Sequence, residues 1–123
     1  MRAVLLIALG LVAITVGALF VQDKLRGGDT PGDVAESYVA AASAGDTSRV
    51  LRLMPSERED PSAARAHADR LRGINSEAVL IDYVPNQTAS YIVTARISYR
   101  GVSVDEVVLQ KFGRRWYLVH FPE

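Results

Sequence analysis

Few side chains in this sequence are placed to move a proton. His67 lies in an alanine-rich stretch, with Ala64, Ala68 and Leu71 around it at helical spacing. A histidine on such an apolar face stands where a general base would stand, provided a carboxylate orients its ring. Asp82, the one charge in the apolar run Val79–Val84, is the candidate partner. A plainer reading makes His67 a boundary residue and turns Asp82 to solvent. Buried charges need partners and exposed ones do not, so the plainer reading leads and no residue is given a catalytic role. His120 lies between Val119 and Phe121, and no convergent acidic pattern joins it to His67, so no metal site is expected. The absence of cysteine excludes thiol catalysis, disulfides and Cys-based zinc sites. The sequence has no HExxH, EF-hand, nucleophile-elbow or glycine-rich phosphate motif, and no cofactor is expected.

The tyrosines offer a different chemistry. Tyr91 and Tyr99 fall on one face of a strand by the period of two. Facing a cavity together with Tyr38 and Leu109, they would suit a small apolar or lipid-like ligand, with their hydroxyls fixing its orientation. Facing helices instead, they are core, which a domain this small needs; Trp116 is assigned to the core. Charge is balanced at 14 basic and 14 acidic residues. That balance gives no electrostatic footprint for nucleic acid. Arg49, Arg52, Arg58, Arg65 and Arg72 are interspersed with Asp46, Glu57, Glu59, Asp60 and Asp69, the pattern of a solvated mixed face that can meet a partner.

The elements that must position these groups can be read in order. Thr30 is an N-cap, Pro31 takes the first helical position, and Val34, Tyr38, Ala41 and Ala42 form an apolar stripe that ends at Gly45. Asp46 caps a second, shorter helix to about Met54. Asp60-Pro61 starts a third, which Gly73 closes. The period then changes to two. Strands are expected at Val79–Val84, Tyr91–Tyr99, from Val102, and at Trp116–Phe121, with turns at Pro85-Asn86-Gln87, Arg100-Gly101 and Gly113-Arg114. The apolar set moves from Val102 and Val104 to Val107 and Leu109, which predicts a bulge near Asp105-Glu106. Three helices followed by four strands on short loops predict an α+β domain, with the helices on one face of a curved four-stranded antiparallel sheet.

Ahead of the domain, no side chain from Ala3 to Val21 is charged. A helix of that length rises about 28 Å, close to the ~30 Å of a bilayer core. Residues 1–21 are therefore expected to form a transmembrane signal-anchor that meets the lipid bilayer through residues 3–21. A cleaved signal ending near Val16-Gly17-Ala18 is the alternative. Gly10, Ala13 and Gly17 place small residues where a membrane helix could pack closely on another. Residues 22–30 read as a flexible tether through Gly27-Gly28, and residues 31–123 as the domain, expected on the extracytoplasmic side of the cell membrane.

Two stretches carry a family resemblance. One is the early helix with Tyr38-Val39-Ala40-Ala41, then Gly45-Asp46 leading into Val50-Leu51. The other is the ending Gly113-Arg114-Arg115-Trp116-Tyr117-Leu118-Val119. Together they resemble the cone-shaped nuclear-transport-factor-2-like and cystatin-like group, closest to anchored bacterial domains of unknown function. The resemblance implies the fold, and a fold does not fix a function. Enzymes of that group use Asp, Tyr or His inside the cone, but no catalytic set aligns with this chain. The expected function is a non-enzymatic accessory or interaction subunit of a membrane or envelope protein complex. A ligand-binding module using Tyr38, Tyr91, Tyr99 and Leu109, or an enzyme using His67 and Asp82, are the alternatives.

Overall fold

A computed structural model describes residues 26–121 of the chain. The order of elements is α1 (Pro31–Ser43), α2 (Thr47–Leu51), α3 (Pro61–Leu71), then β1 (Val79–Pro85), β2 (Ile92–Tyr99), β3 (Val102–Phe112) and β4 (Arg115–His120). Single 3₁₀ turns at Ser56–Arg58 and Ser76–Ala78 lead into α3 and β1. The strands form one antiparallel sheet in chain order, β1-β2-β3-β4, so the fold is α+β as expected.

Each helix starts where a short polar side chain can satisfy a free backbone N–H. The Thr30 hydroxyl accepts from Asp33 N–H at 3.0 Å, the Asp46 carboxylate from Arg49 N–H at 3.2 Å, and the Asp60 carboxylate from Ala63 N–H at 3.0 Å. Alanines 35, 41 and 42 on α1, and 64 and 68 on α3, are fully or almost fully buried. Their small size lets the helices lie close to one another and to the sheet. The remaining core volume is filled by Tyr38, Met54, Leu71, Ile97, Leu109 and Leu118. Arg100 (φ 54°) and Gly101 (φ 79°) both take the left-handed region, which a two-residue turn matched to the strand twist requires. On β3 the register slips by one residue, from Ile97 opposite Asp105 to Ser98 opposite Ser103. This bulge sits within a residue or two of its expected place, and beyond it Asp105 faces the helices in phase with Val107 and Leu109.

Two expectations are corrected. A membrane-spanning helix was expected as part of the fold, yet no helix of the described residues is long and apolar enough to cross a membrane. The longest, α1, has 13 residues and exposes Asp33 and Glu36. The stretch named for that role, residues 1–21 with Gly10, Ala13 and Gly17, lies outside the described residues. Within the stretch read as a flexible tether, Gly27 and Gly28 are instead held by backbone hydrogen bonds. Gly28 and Trp116 exchange backbone hydrogen bonds of 2.8 Å each, and Gly27 N–H donates to Arg52 O at 3.0 Å. Gly27 is there for close approach: its φ is +75°, and a Cβ at this position would lie 2.2 Å from Trp116 O.

Candidate functional site

Helices α1 and α3 each contribute one buried polar side chain to a cluster centred on Asp105. Asp105 sits on the inward face of β3 with its side chain fully buried. His67, on the Ala64–Ala68–Leu71 stripe of α3, places Nδ1 2.8 Å from Asp105 Oδ1. Tyr38, on α1, donates its hydroxyl to Asp105 Oδ2. Glu106 N–H also donates to Oδ1 at 2.9 Å, and Arg70, one turn beyond His67, brings Nη1 to 3.6 Å. A buried carboxylate is stable only when paired and hydrogen-bonded in this way. Burial holds the Tyr38 phenol protonated well above the ordinary tyrosine range; the charge of Asp105 and its hydrogen bond add to this, and Arg70 opposes it. An ionised Asp105 only accepts, so His67 carries its proton on Nδ1. Phe121 closes the cluster, stacking on the His67 ring at 4.2 Å between centroids and leaning on Tyr38 at 5.9 Å.

His67, expected as a boundary residue, is instead buried, and the carboxylate it meets is Asp105 rather than the candidate Asp82. Asp82 is exposed on the outer face of β1, opposite Arg96 of β2. The true partner, Asp105, was passed over, although counting back by two from Leu109 and Val107 puts it on the buried face. A carboxylate–imidazole pair of this kind can serve as an acid–base dyad where the second ring nitrogen meets a substrate. Here the imidazole is enclosed beneath Phe121, and the three clefts described are lined by other residues. The cluster works as a polar tie joining α1, α3 and β3.

The four residues proposed to line a ligand cavity do not converge. Tyr38 and Leu109 are fully buried in the packed core. Tyr91 is 51% exposed just before β2, and Tyr99 lies opposite Val79 with the Arg100 guanidinium 5.2 Å from its ring centre.

The largest of the described clefts opens at the other end of the sheet. It holds about 510 Å³ and lies between α1 (Glu36, Val39, Ala40), the 3₁₀ turn (Ser76, Glu77) and β1 (Val79, Leu80, Ile81, Tyr83). Helix α1 packs over β3 and β4 and α3 over β3, and β1 forms the far wall of the cleft. Leu80 is 70% exposed and Tyr83 38%. Burial raises the Tyr83 phenol above its ordinary pKa, and the nearby Glu36 and Asp33 raise it further.

The open edge of β1 has a definite polarity. Asn86 N–H donates to Ile92 O at 3.0 Å, and Lys111 N–H donates to Tyr91 O at 2.9 Å. Antiparallel partners alternate between bonded and non-bonded pairs. These two bonds therefore place Leu80, Asp82 and Val84 in the bonded phase with β2. Val79, Ile81 and Tyr83 turn their N–H and C=O groups outward, and among the described residues no backbone partner meets them. Sequence patterning found the strand but not its edge position, which only the sheet order reveals. No family model, no curated protein and no solved structure matches this chain.

Proposed function

We propose that this chain is a non-enzymatic interaction domain that docks an extended segment of a partner protein along the edge of β1. The observation that carries the reading is the unpaired row of backbone groups on Val79, Ile81 and Tyr83, set beside an open cleft and the exposed Leu80. An exposed strand edge is a template for a further strand; backbone hydrogen bonds then give affinity and alternate side-chain sites give selectivity. The polar cluster has a supporting role in this reading. It fixes α1 against β3 and so holds the helical wall of the cleft in place.

A photoreactive amino acid placed at Leu80 tests this directly, with the same group at Arg114 as control. The reading predicts a discrete protein adduct from position 80 in the cells that make the chain and none from position 114. Equal labelling at both positions, or none at either, would contradict it.

A second reading treats His67 and Asp105 as an acid–base pair, favoured by their 2.8 Å contact. It requires Phe121 to swing off the imidazole, and a Phe121→Ala variant with a new, His67-dependent hydrolytic or isomerase activity would support it.

A further inference from the structure

The proposed docking at β1 leaves the nature of the docked segment open, and the inference below rests on that reading. Both charged residues that line the cleft are acidic, Glu36 on α1 and Glu77 on the 3₁₀ turn. Asp33 lies one turn before Glu36 on the exposed side of α1, close enough to raise the Tyr83 phenol. Between these charges the wall is apolar, formed by Val39, Ala40 and Ile81. On the outer face, the same strand presents Leu80 and Asp82. Two acidic groups at the opposite edge are already engaged: Arg115 holds Asp29 at 2.9 Å and Arg26 holds Glu59 at 2.9 Å. Glu36, Glu77 and Asp33 make no ion pair among the described residues.

We infer that the groove between α1 and β1 takes an extended, basic segment of a partner protein, with apolar residues alternating with Lys or Arg. The backbone of that segment bonds to Val79, Ile81 and Tyr83, three residues spaced two apart that span about 13 Å. Pro85 is next in the outward phase and has no N–H, so pairing stops there and the register is limited to this window. Opposite charge along the rim selects the segment and speeds its encounter, while like charge rejects others. The same rim disfavours a second copy of this chain, because β1–β1 pairing would bring two acidic rims together.

The test uses the full chain, isotope-labelled, in a non-ionic detergent that keeps the apolar Ala3–Val21 stretch dispersed. The probe is an acetylated, amidated heptapeptide alternating valine and lysine; its counterpart alternates valine and glutamate. Backbone amide resonances of Val79, Ile81 and Tyr83 are followed during titration. The inference predicts saturable shifts at these amides with the lysine peptide, and at least tenfold weaker binding of the glutamate peptide. A Tyr83→Pro variant, which removes an outward N–H, and a Glu36→Lys, Glu77→Lys double variant should each weaken the lysine peptide at least tenfold. The double variant should also gain affinity for the glutamate peptide. Equal shifts with both peptides would overturn the basic partner while leaving edge docking standing. A concentration-dependent dimer with shifts at the same amides, and no peptide effect, would overturn it in favour of self-pairing. No response of these amides to peptide or to concentration would overturn both the inference and the docking reading.

Discussion

The two edges of the sheet are finished in opposite ways. At β4, Trp116 exchanges two backbone bonds of 2.8 Å with Gly28, and Leu118 N–H donates to Leu53 O at 2.8 Å. Arg115 fastens the same segment through Arg26 O and Asp29, both at 2.9 Å. At β1, the outward groups of Val79, Ile81 and Tyr83 meet no backbone partner among the described residues. The helices follow the same asymmetry, packing over β3 and β4 and leaving β1 as one wall of a cleft. Folded chains commonly blunt their strand edges. This one covers one edge with its own backbone and leaves the other with only Pro85 and the outward-facing Asp82 as protection. Stability and accessibility are thus separated: the β3–β4 half is sealed by its own chain, and the β1 edge stays open among the described residues.

Substitutions test that contrast. The largest loss is expected at the centre of the closed half. Asp105→Ala leaves the Tyr38 hydroxyl and the His67 N–H buried without their acceptor and should cost about 3–5 kcal/mol in chemical denaturation. Asp105→Asn keeps the shape and one carbonyl acceptor and should cost less. Next is Gly27→Ala, which forces a side chain into left-handed backbone and against Trp116 O. It should cost about 2–3 kcal/mol and speed amide exchange at Trp116. A loss below 1 kcal/mol would mean that the β4 edge is not sealed by this segment.

Alkali should then act on the same half. Tyr38 keeps its proton in the folded state, while the unfolded chain releases it near pH 10. Above that point the unfolded state binds fewer protons, so stability present below pH 10 is lost as pH rises, by about 1.4 kcal/mol per pH unit. Tyr38→Phe should be less stable at pH 8 and show a shallower fall between pH 10 and 11, measured by urea titration at each pH. The smallest effect is expected at the open edge. Leu80→Lys should change stability by no more than about 0.5 kcal/mol, because the side chain is mostly in water already. A loss comparable to that of Gly27→Ala would mean that Leu80 is covered.

Much of this arrangement was legible in the sequence. Thr30-Pro31, Asp46 and Asp60-Pro61 announced all three helix starts, because a cap is a local hydrogen bond written in a few adjacent residues. The strands were legible through alternation, and so was the bulge. The polar cluster was only half legible. His67 stands out by its apolar neighbours, but they do not reveal that it is buried, and the conspicuous charge in an apolar strand, Asp82, is not its partner. On an edge strand such a charge simply faces water with Leu80. Asp105 keeps the inward phase of Val107 and Leu109, because the register shifts between Ser103 and Asp105 rather than at the expected Asp105-Glu106. Gly27-Gly28 was ambiguous in principle: glycine marks freedom in a tether and contact in a packed segment. Only the approach of Trp116, some 88 positions away in the sequence, decides between them.

The most direct measurement is amide hydrogen exchange on the full chain without any added partner, resolved by residue. The account predicts fast exchange at Val79, Ile81 and Tyr83, and exchange slower by orders of magnitude at Gly28, Trp116 and Leu118, although both sets lie on sheet edges. Comparable protection at the two edges would contradict it, because β1 would then be closed and unavailable for docking.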